Sequence, residues 1–164
     1  MQSIKEVSSG LAGFDKIINN LNLGDNVVWQ VDNLDVYREF VRPYVDQAYM
    51  DGRKIHYMRF ASHNPVIDPE DPRIIFHSLN AFSGFESFAL SVHGIIADAG
   101  KEAFYVFDSL SDLLSAWATD LMIGNFFRIT CPYLFDLDTV AYFALIRNSH
   151  DFRTVARIRE TTQL

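Results

Sequence analysis

Two hydrophobic rhythms alternate along this chain, and the elements they predict alternate with them. Asn26-Val27-Val28-Trp29-Gln30-Val31 is an apolar run of strand length. It leads into a helix from about Leu34 to Asp51, with Asp32 or Asn33 as N-cap, Gly52 as its stop and Pro43 as a kink. Lys54 to Phe60 reads as a strand and Ile74 to His77 as a shorter one, separated by a Pro-rich loop from Asn64 to Pro72. Gly84 to Ala99 follows as a helix closed by Gly100, with Ser83 as cap and Glu86 completing a capping box. Ala103 to Phe107 is wholly apolar, as in a strand buried on both faces, and it ends at Asp108. Leu113, Leu114, Trp117, Leu121 and Met122 recur at helical spacing between Asp112 and about Phe127, and a loop containing Cys131-Pro132 is expected next. Thr139 to Ile146 is a second buried strand, and Asp151 to Thr162 a helix presenting Val155 and Ile158 on one side. Strands alternating with helices predict an α/β fold: a mostly parallel sheet flanked by helices in three layers.

Composition narrows the class. With 164 residues, 49% apolar and 21% charged, the chain is sized for one domain, residues 1–164, with a real core. No apolar run approaches the roughly 18 residues of a membrane span, and the N-terminus lacks a signal-peptide stretch, so the expected setting is cytoplasmic, with no membrane partner. Cys131 is the single cysteine and reads as a small core residue. The net charge of −7 concentrates in the chain through Asp138, with 10 basic against 19 acidic residues, whereas only Asp151 and Glu160 oppose four arginines beyond it. Such a body repels nucleic acid, and the arginines of the last helix suit a solvated face or an acidic partner surface.

The candidate chemistry lies where the first strand meets its helix. Phosphate-binding proteins place G-x-x-x-x-G-K-[ST] at such a junction, the glycines turning backbone N–H groups onto the phosphates and the lysine neutralising them. Here the junction reads Asp32-Asn33-Leu34-Asp35-Val36-Tyr37-Arg38, with no glycine and no lysine. Asp32, Asn33, Arg38, Asp108 and Ser109 are the candidate nucleotide contacts; the competing reading makes Asp32 or Asn33, and Asp108, helix caps. The five histidines lack metal-motif spacing, and Ser83-Gly84-Phe85-Glu86-Ser87 does not make a nucleophile elbow.

Ser8-Ser9-Gly10-Leu11-Ala12-Gly13-Phe14-Asp15 resembles the S-T-G-I-x-G-L-D opening of the KaiC and RecA-like P-loop ATPases. Phe104 to Leu114, reading F-Y-V-F-D-S-L-S-D-L-L, is similar to that family's Walker B strand and its continuation, and Thr139 to His150 to the following strand with its T-S-H ending. The resemblance implies a RecA-like sheet, with Asp108 as the residue that would hold magnesium through water. The phosphate loop is missing, and Ala61-Ser62 stands where KaiC-like members carry a pair of glutamates that polarise water. Neither residue can act as that base. No ATP or magnesium is therefore expected as a cofactor.

Leu23 to Asp32, Asp112 to Met122 and Thr154 to Gln163 further resemble the N-terminal domain of proteins related to phosphoenolpyruvate synthase and pyruvate phosphate dikinase. This implies a non-catalytic assembly or regulatory module, its partner another copy or a downstream kinase-type domain, with the phosphotransferase machinery lying after Leu164. Two other readings stand beside it. One is a sensor of a small molecule or nucleotide, using Arg38, Arg59, Arg147 and Arg153; the other is an ATPase with an atypical phosphate loop. Trp117, just past the Walker-B-like strand, is the expected anchor of a self-association interface, with core packing as its alternative.

Overall fold

The computed structural model describes residues 5–116 and 119–164. A two-stranded antiparallel ribbon, β1 (Glu6–Val7) and β2 (Leu21–Asn22), brackets helix α1 (Ala12–Ile18). Then come β3 (Asn26–Val31), α2 (Leu34–Met50), β4 (Ile55–Arg59), β5 (Ile74–Ser78), α3 (Phe85–Ala99), β6 (Phe104–Ser109), α4 (Asp120–Asp136), β7 (Val140–Ile146) and α5 (Phe152–Thr161). The five longer strands form one sheet in the order β3-β7-β6-β4-β5, every pair parallel.

Alternation along the strands splits the core into two halves. Val27, Val31, Ile55, Tyr57, Phe104, Val106 and Tyr142 face α2, joined by Phe14 and Ile18 of α1. Met58, Tyr105, Phe107, Ala141, Phe143 and Leu145 face α3, α4 and α5. Helices thus cover both faces of a parallel sheet, which is why its inner strands are apolar throughout rather than alternating. Side-chain hydroxyls reinforce the α2 side: Tyr37 donates to Phe107 O at 2.9 Å and Tyr44 to Val140 O at 3.0 Å.

The opening motif has a packing role. Asp15 accepts the Ser9 N–H at 2.9 Å and the Ser8 hydroxyl. Burial works against its ionisation, but these bonds outweigh it and hold the carboxyl below its ordinary range. Gly10, at φ +82°, packs so closely on α2 that a Cβ would lie 2.1 Å from Pro43 O, so only glycine fits there. That helix runs on through Pro43 to Met50.

Several boundaries differ from the sequence expectation. Asn33, not Asp32, caps α2, accepting from the N–H groups of Asp35 and Val36. Gly84, at φ 93°, precedes α3 with no side-chain cap, and Ser83 lies in a short 3-10 turn with its hydroxyl on Asn80 O. Leu110–Ser115 is a 3-10 helix, and α4 begins only at Asp120, so Cys131 and Pro132 lie inside a helix rather than in a loop. Ile123, Phe126, Phe127, Cys131 and Leu134 point into the core at helical spacing, and this burial outweighs the local signal of Pro132. Among the described residues no helix is long and apolar enough to cross a membrane. Trp117 lies outside them.

A histidine pair bridges the neighbouring strands β4 and β5. His56 on β4 and His77 on β5 stack at 5.2 Å, with Nδ1 of the first 2.9 Å from Nε2 of the second. Burial and the neighbouring His77 push His56 from 6.5 down to about 4, and burial pushes His77 down as well. Lowered values mean that the unfolded chain takes up protons first as the pH falls, so stability rises with pH across this window. The urea midpoint is expected to hold above pH 6.5 and to fall progressively toward pH 4. His56→Phe should flatten that slope; an unchanged slope would place the acid sensitivity elsewhere.

Candidate functional site

Ligands of open parallel sheets bind beyond the carboxyl ends of the strands, where neighbouring connections leave toward opposite faces. Two such places exist here. The chain leaves β3 toward α2 and leaves β7 toward α5, on the opposite face; it leaves β4 toward Val66 and Ile67 on the α2 side and leaves β6 toward Leu110 and Leu113 on the other. In both crevices the chain's own side chains take up the groups a ligand would use.

In the β4–β6 crevice the central residue is Asp108, fully buried. The β6–β7 register shifts between Val106 and Ser109, and a bulge of this kind re-aims the side chains within it. Asp108 Oδ2 accepts the N–H groups of Phe60 at 2.9 Å and Ala61 at 3.0 Å and pairs with Arg59 Nη1 at 3.0 Å. Its other oxygen accepts the Tyr57 hydroxyl, which in turn accepts the Val66 N–H at 3.1 Å. Burial and the adjoining carboxylate push the Tyr57 phenol well up, so it acts here as a donor. Two successive backbone amides, a guanidinium and a phenol make a donor set suited to an anionic ligand. The anion occupying it is the protein's own carboxylate.

His63 closes this arrangement. Its Nε2 accepts the Ser109 N–H at 3.1 Å, which leaves the proton on Nδ1, 2.8 Å from Asn64 O. Nε2 also lies 3.7 Å from Asp108 Oδ1, but with both atoms acting as acceptors this proximity is not an ion pair. Arg59 further donates to His63 O. The Ser109 hydroxyl is buried and has no hydrogen-bond partner among the described residues, and its amide is spent on His63.

In the β3–β7 crevice the Asn33 carboxamide oxygen takes the first-turn amides of α2, at 3.0 Å and 3.2 Å, where a phosphate would otherwise bind. Asp32 is exposed and pairs with Arg147 at 3.4 Å. Arg38 turns away, pairing with Asp35 and donating to Asn64 O at 3.0 Å and Pro65 O at 3.3 Å, so that it pins the 60s loop to α2. The sequence-derived set is therefore split: Asp108 and Ser109 share one crevice, Asp32 and Asn33 the other, and Arg38 lies with the loop. Asp108 is also no helix cap, since the 3-10 helix that follows begins at Leu110, with Ser109 at its N-cap position and no side-chain cap.

Tyr57 and His63 were not legible as site residues, because nothing in sequence spacing ties a mid-strand tyrosine or a loop histidine to the end of another strand. A third network joins the same end of the sheet. Ser111 Oγ accepts the Ile146 N–H at 2.9 Å and lies 2.6 Å from His150 Nε2, while His150 Nδ1 lies 2.8 Å from Asp120 Oδ1. The order is that of an acyl-transfer triad, but the His150 side chain is only 1% exposed and the serine oxygen already carries a backbone bond. The chain of bonds fastens the 3-10 helix after β6, the end of β7 and the start of α4 to one another. Similarly, Asp112 accepts both the amide and the hydroxyl of Ser62, at 2.8 Å and 2.9 Å.

A separate cleft of about 480 Å³ lies between α2 and the segment from Pro65 to Arg73, lined by Arg38, Arg42, Asp46, Asp71 and Arg73 among others. Arg73 is paired with both Asp46 and Asp71, and Arg42 forms no ion pair among the described residues. No three histidine, cysteine, aspartate or glutamate side chains converge as metal ligands among the described residues. Compared with protein-family models and with curated proteins, the sequence finds no match.

Proposed function

We propose that this chain is a non-catalytic domain of RecA-like P-loop type, serving as an assembly or regulatory module of a protein similar to phosphoenolpyruvate synthase or pyruvate phosphate dikinase. One observation carries the reading: the donors at both carboxyl-end crevices are consumed by the protein's own Asn33 and Asp108. A nucleotide would have to displace a hydrogen-bonded cap and a buried, charge-paired carboxylate, with no lysine to repay the cost. Asp108 already accepts from Arg59, Tyr57 and two backbone amides, which a magnesium ion would have to disturb, and Ala61 and Ser62 offer no base for water.

The partner in this reading is another copy of the chain or a kinase-type domain. A sensing role for a small anion is the second reading, favoured by Arg42 lining the α2 cleft with no ionic partner among the described residues.

Titration calorimetry with ATP and magnesium should give no binding heat, and the purified chain no phosphate release above buffer. A thermal-shift panel of nucleotides, phosphoenolpyruvate and pyruvate tests both readings, since a ligand at 100 times its dissociation constant adds about 2.7 kcal/mol. Stabilisation by ATP, or magnesium-dependent turnover, would overturn the non-catalytic reading. A shift with phosphoenolpyruvate alone that is lost in Arg42→Ala would favour sensing.

A further inference from the structure

The two outer edges of the sheet are managed differently. Along β3 the tail has begun to pair: Leu164 N–H donates to Asn26 O at 3.3 Å and Val28 N–H to Leu164 O at 3.0 Å. Among the described residues no strand pairs with the outer side of β5. Such an edge invites pairing unless charge, proline or a bulge protects it, and β5, reading Ile74-Ile75-Phe76-His77-Ser78, has none of these.

Its surroundings are as unprotected as the strand. From Ile74 to Ala97 the single charged residue is Glu86, in a chain that is 21% charged. This segment comprises β5, the turn after it and nearly all of α3, and it exposes Ile75 (42%), Phe76 (40%), Phe82 (78%) and Leu90 (76%). On α3 the exposed positions are Glu86, Ser87, Leu90, Ser91, Gly94, Ala97 and Asp98, so an uncharged stretch from Ser87 to Ala97 is bracketed by one carboxylate at each end. Several exposed apolar residues elsewhere have charged neighbours: Ile17 follows Lys16, Met50 precedes Asp51, and Phe152 lies between Asp151 and Arg153. Depletion of charge around exposed aromatic and aliphatic side chains is the composition of an interface core.

We propose that this edge joins two copies of the chain, β5 pairing with the β5 of the second copy in an antiparallel, two-fold arrangement that continues the sheet across the dimer. Charge argues for a second copy as the occupant. Each molecule carries −7, so two copies repel wherever acidic surfaces meet and approach at least cost through their uncharged strip, whereas a basic partner would select the acidic faces. The main chain supplies the register. Leu79 N–H donates inward to Arg59 O at 2.8 Å and Ile74 N–H bonds outward to Asp71 O, so alternation points the Phe76 N–H and C=O away from the sheet. Two copies can then exchange both bonds at Phe76 on the symmetry axis, setting Ile75 opposite the partner's His77.

The proposal deepens the assembly part of the reading above and rests on it. Its readout is association, so it fails or stands independently of nucleotide binding. Light scattering and sedimentation of the intact chain should give a concentration-dependent dimer that tolerates high salt. Ile75→Lys and Leu90→Lys, both at exposed positions, should each weaken dimerisation at least about tenfold while leaving circular dichroism and thermal unfolding of the monomer unchanged. Phe76→Cys should form an interchain disulfide under mild oxidation, and the buried Cys131 should not. A monomer at all concentrations, a dimer indifferent to both lysine variants, or Phe76→Cys that fails to crosslink in a dimer would each overturn the proposal.

Discussion

Asp108→Ala is expected to destabilise the fold by about 3–5 kcal/mol, the usual consequence of removing one partner from a buried charge pair. The variant strands Arg59, whose side chain is 18% exposed, together with the amides of Phe60 and Ala61 and the hydroxyl of Tyr57. Each unsatisfied buried donor carries its own desolvation cost. Asp108→Asn keeps the shape and one acceptor oxygen but gives up the charge, so its loss should fall between those of wild type and alanine. Urea unfolding monitored by circular dichroism reads all three. The result separates two roles for the same residue: a carboxylate kept free for a metal would be released nearly without cost, whereas a tie between β4 and β6 would not. A loss below about 1 kcal/mol for Asp108→Ala would show that the bonds around it contribute little.

Tyr44→Ala should cost about 3–5 kcal/mol, as large-to-small replacement of a buried aromatic does. Tyr44 is fully buried at the middle of α2, stacked on Tyr142 with centroids 3.8 Å apart and on Phe104 at 5.6 Å. Its hydroxyl reaches across the sheet to Val140 O at 3.0 Å and Tyr105 O at 3.3 Å. Tyr44→Phe, which removes only that hydroxyl, should cost about 1 kcal/mol. The gap between the two variants measures how far ring packing, rather than hydrogen bonding, holds α2 to the sheet. Equal losses would mean that the hydroxyl dominates.

Both predictions concern how a parallel sheet with a ligand-binding layout has been closed on itself. At Asn33 the closure was half legible, because a cap was expected at Asp32 or Asn33 and the structure selects the carboxamide. At Asp108 the sequence offered a metal ligand or a helix cap, and neither describes its contacts. Local reasoning cannot anticipate an acceptor whose donors are 47 to 51 residues away on another strand.

Hydrophobic patterning by itself determined that β3, β4, β5, β6 and β7 are strands and that α2, α3 and α5 are helices, because burial on both sheet faces or along one helix stripe writes a local period into the chain. It could not place the start of α4. There the apolar spacing begins at Leu113, while the chain first makes a 3-10 turn and begins the helix only at Asp120. Nor could it keep Cys131-Pro132 helical against the proline signal. That the junction after β3 carries no phosphate-loop motif was likewise visible in the residues alone, since no glycine or lysine stands between Asp32 and Arg38. What only the tertiary structure decided is the order β3-β7-β6-β4-β5, the bulge that turns Asp108 toward β4, and which edge of the sheet remains open. These depend on contacts distant in sequence, whose energies arise when the strands meet and leave no periodic trace in any one of them.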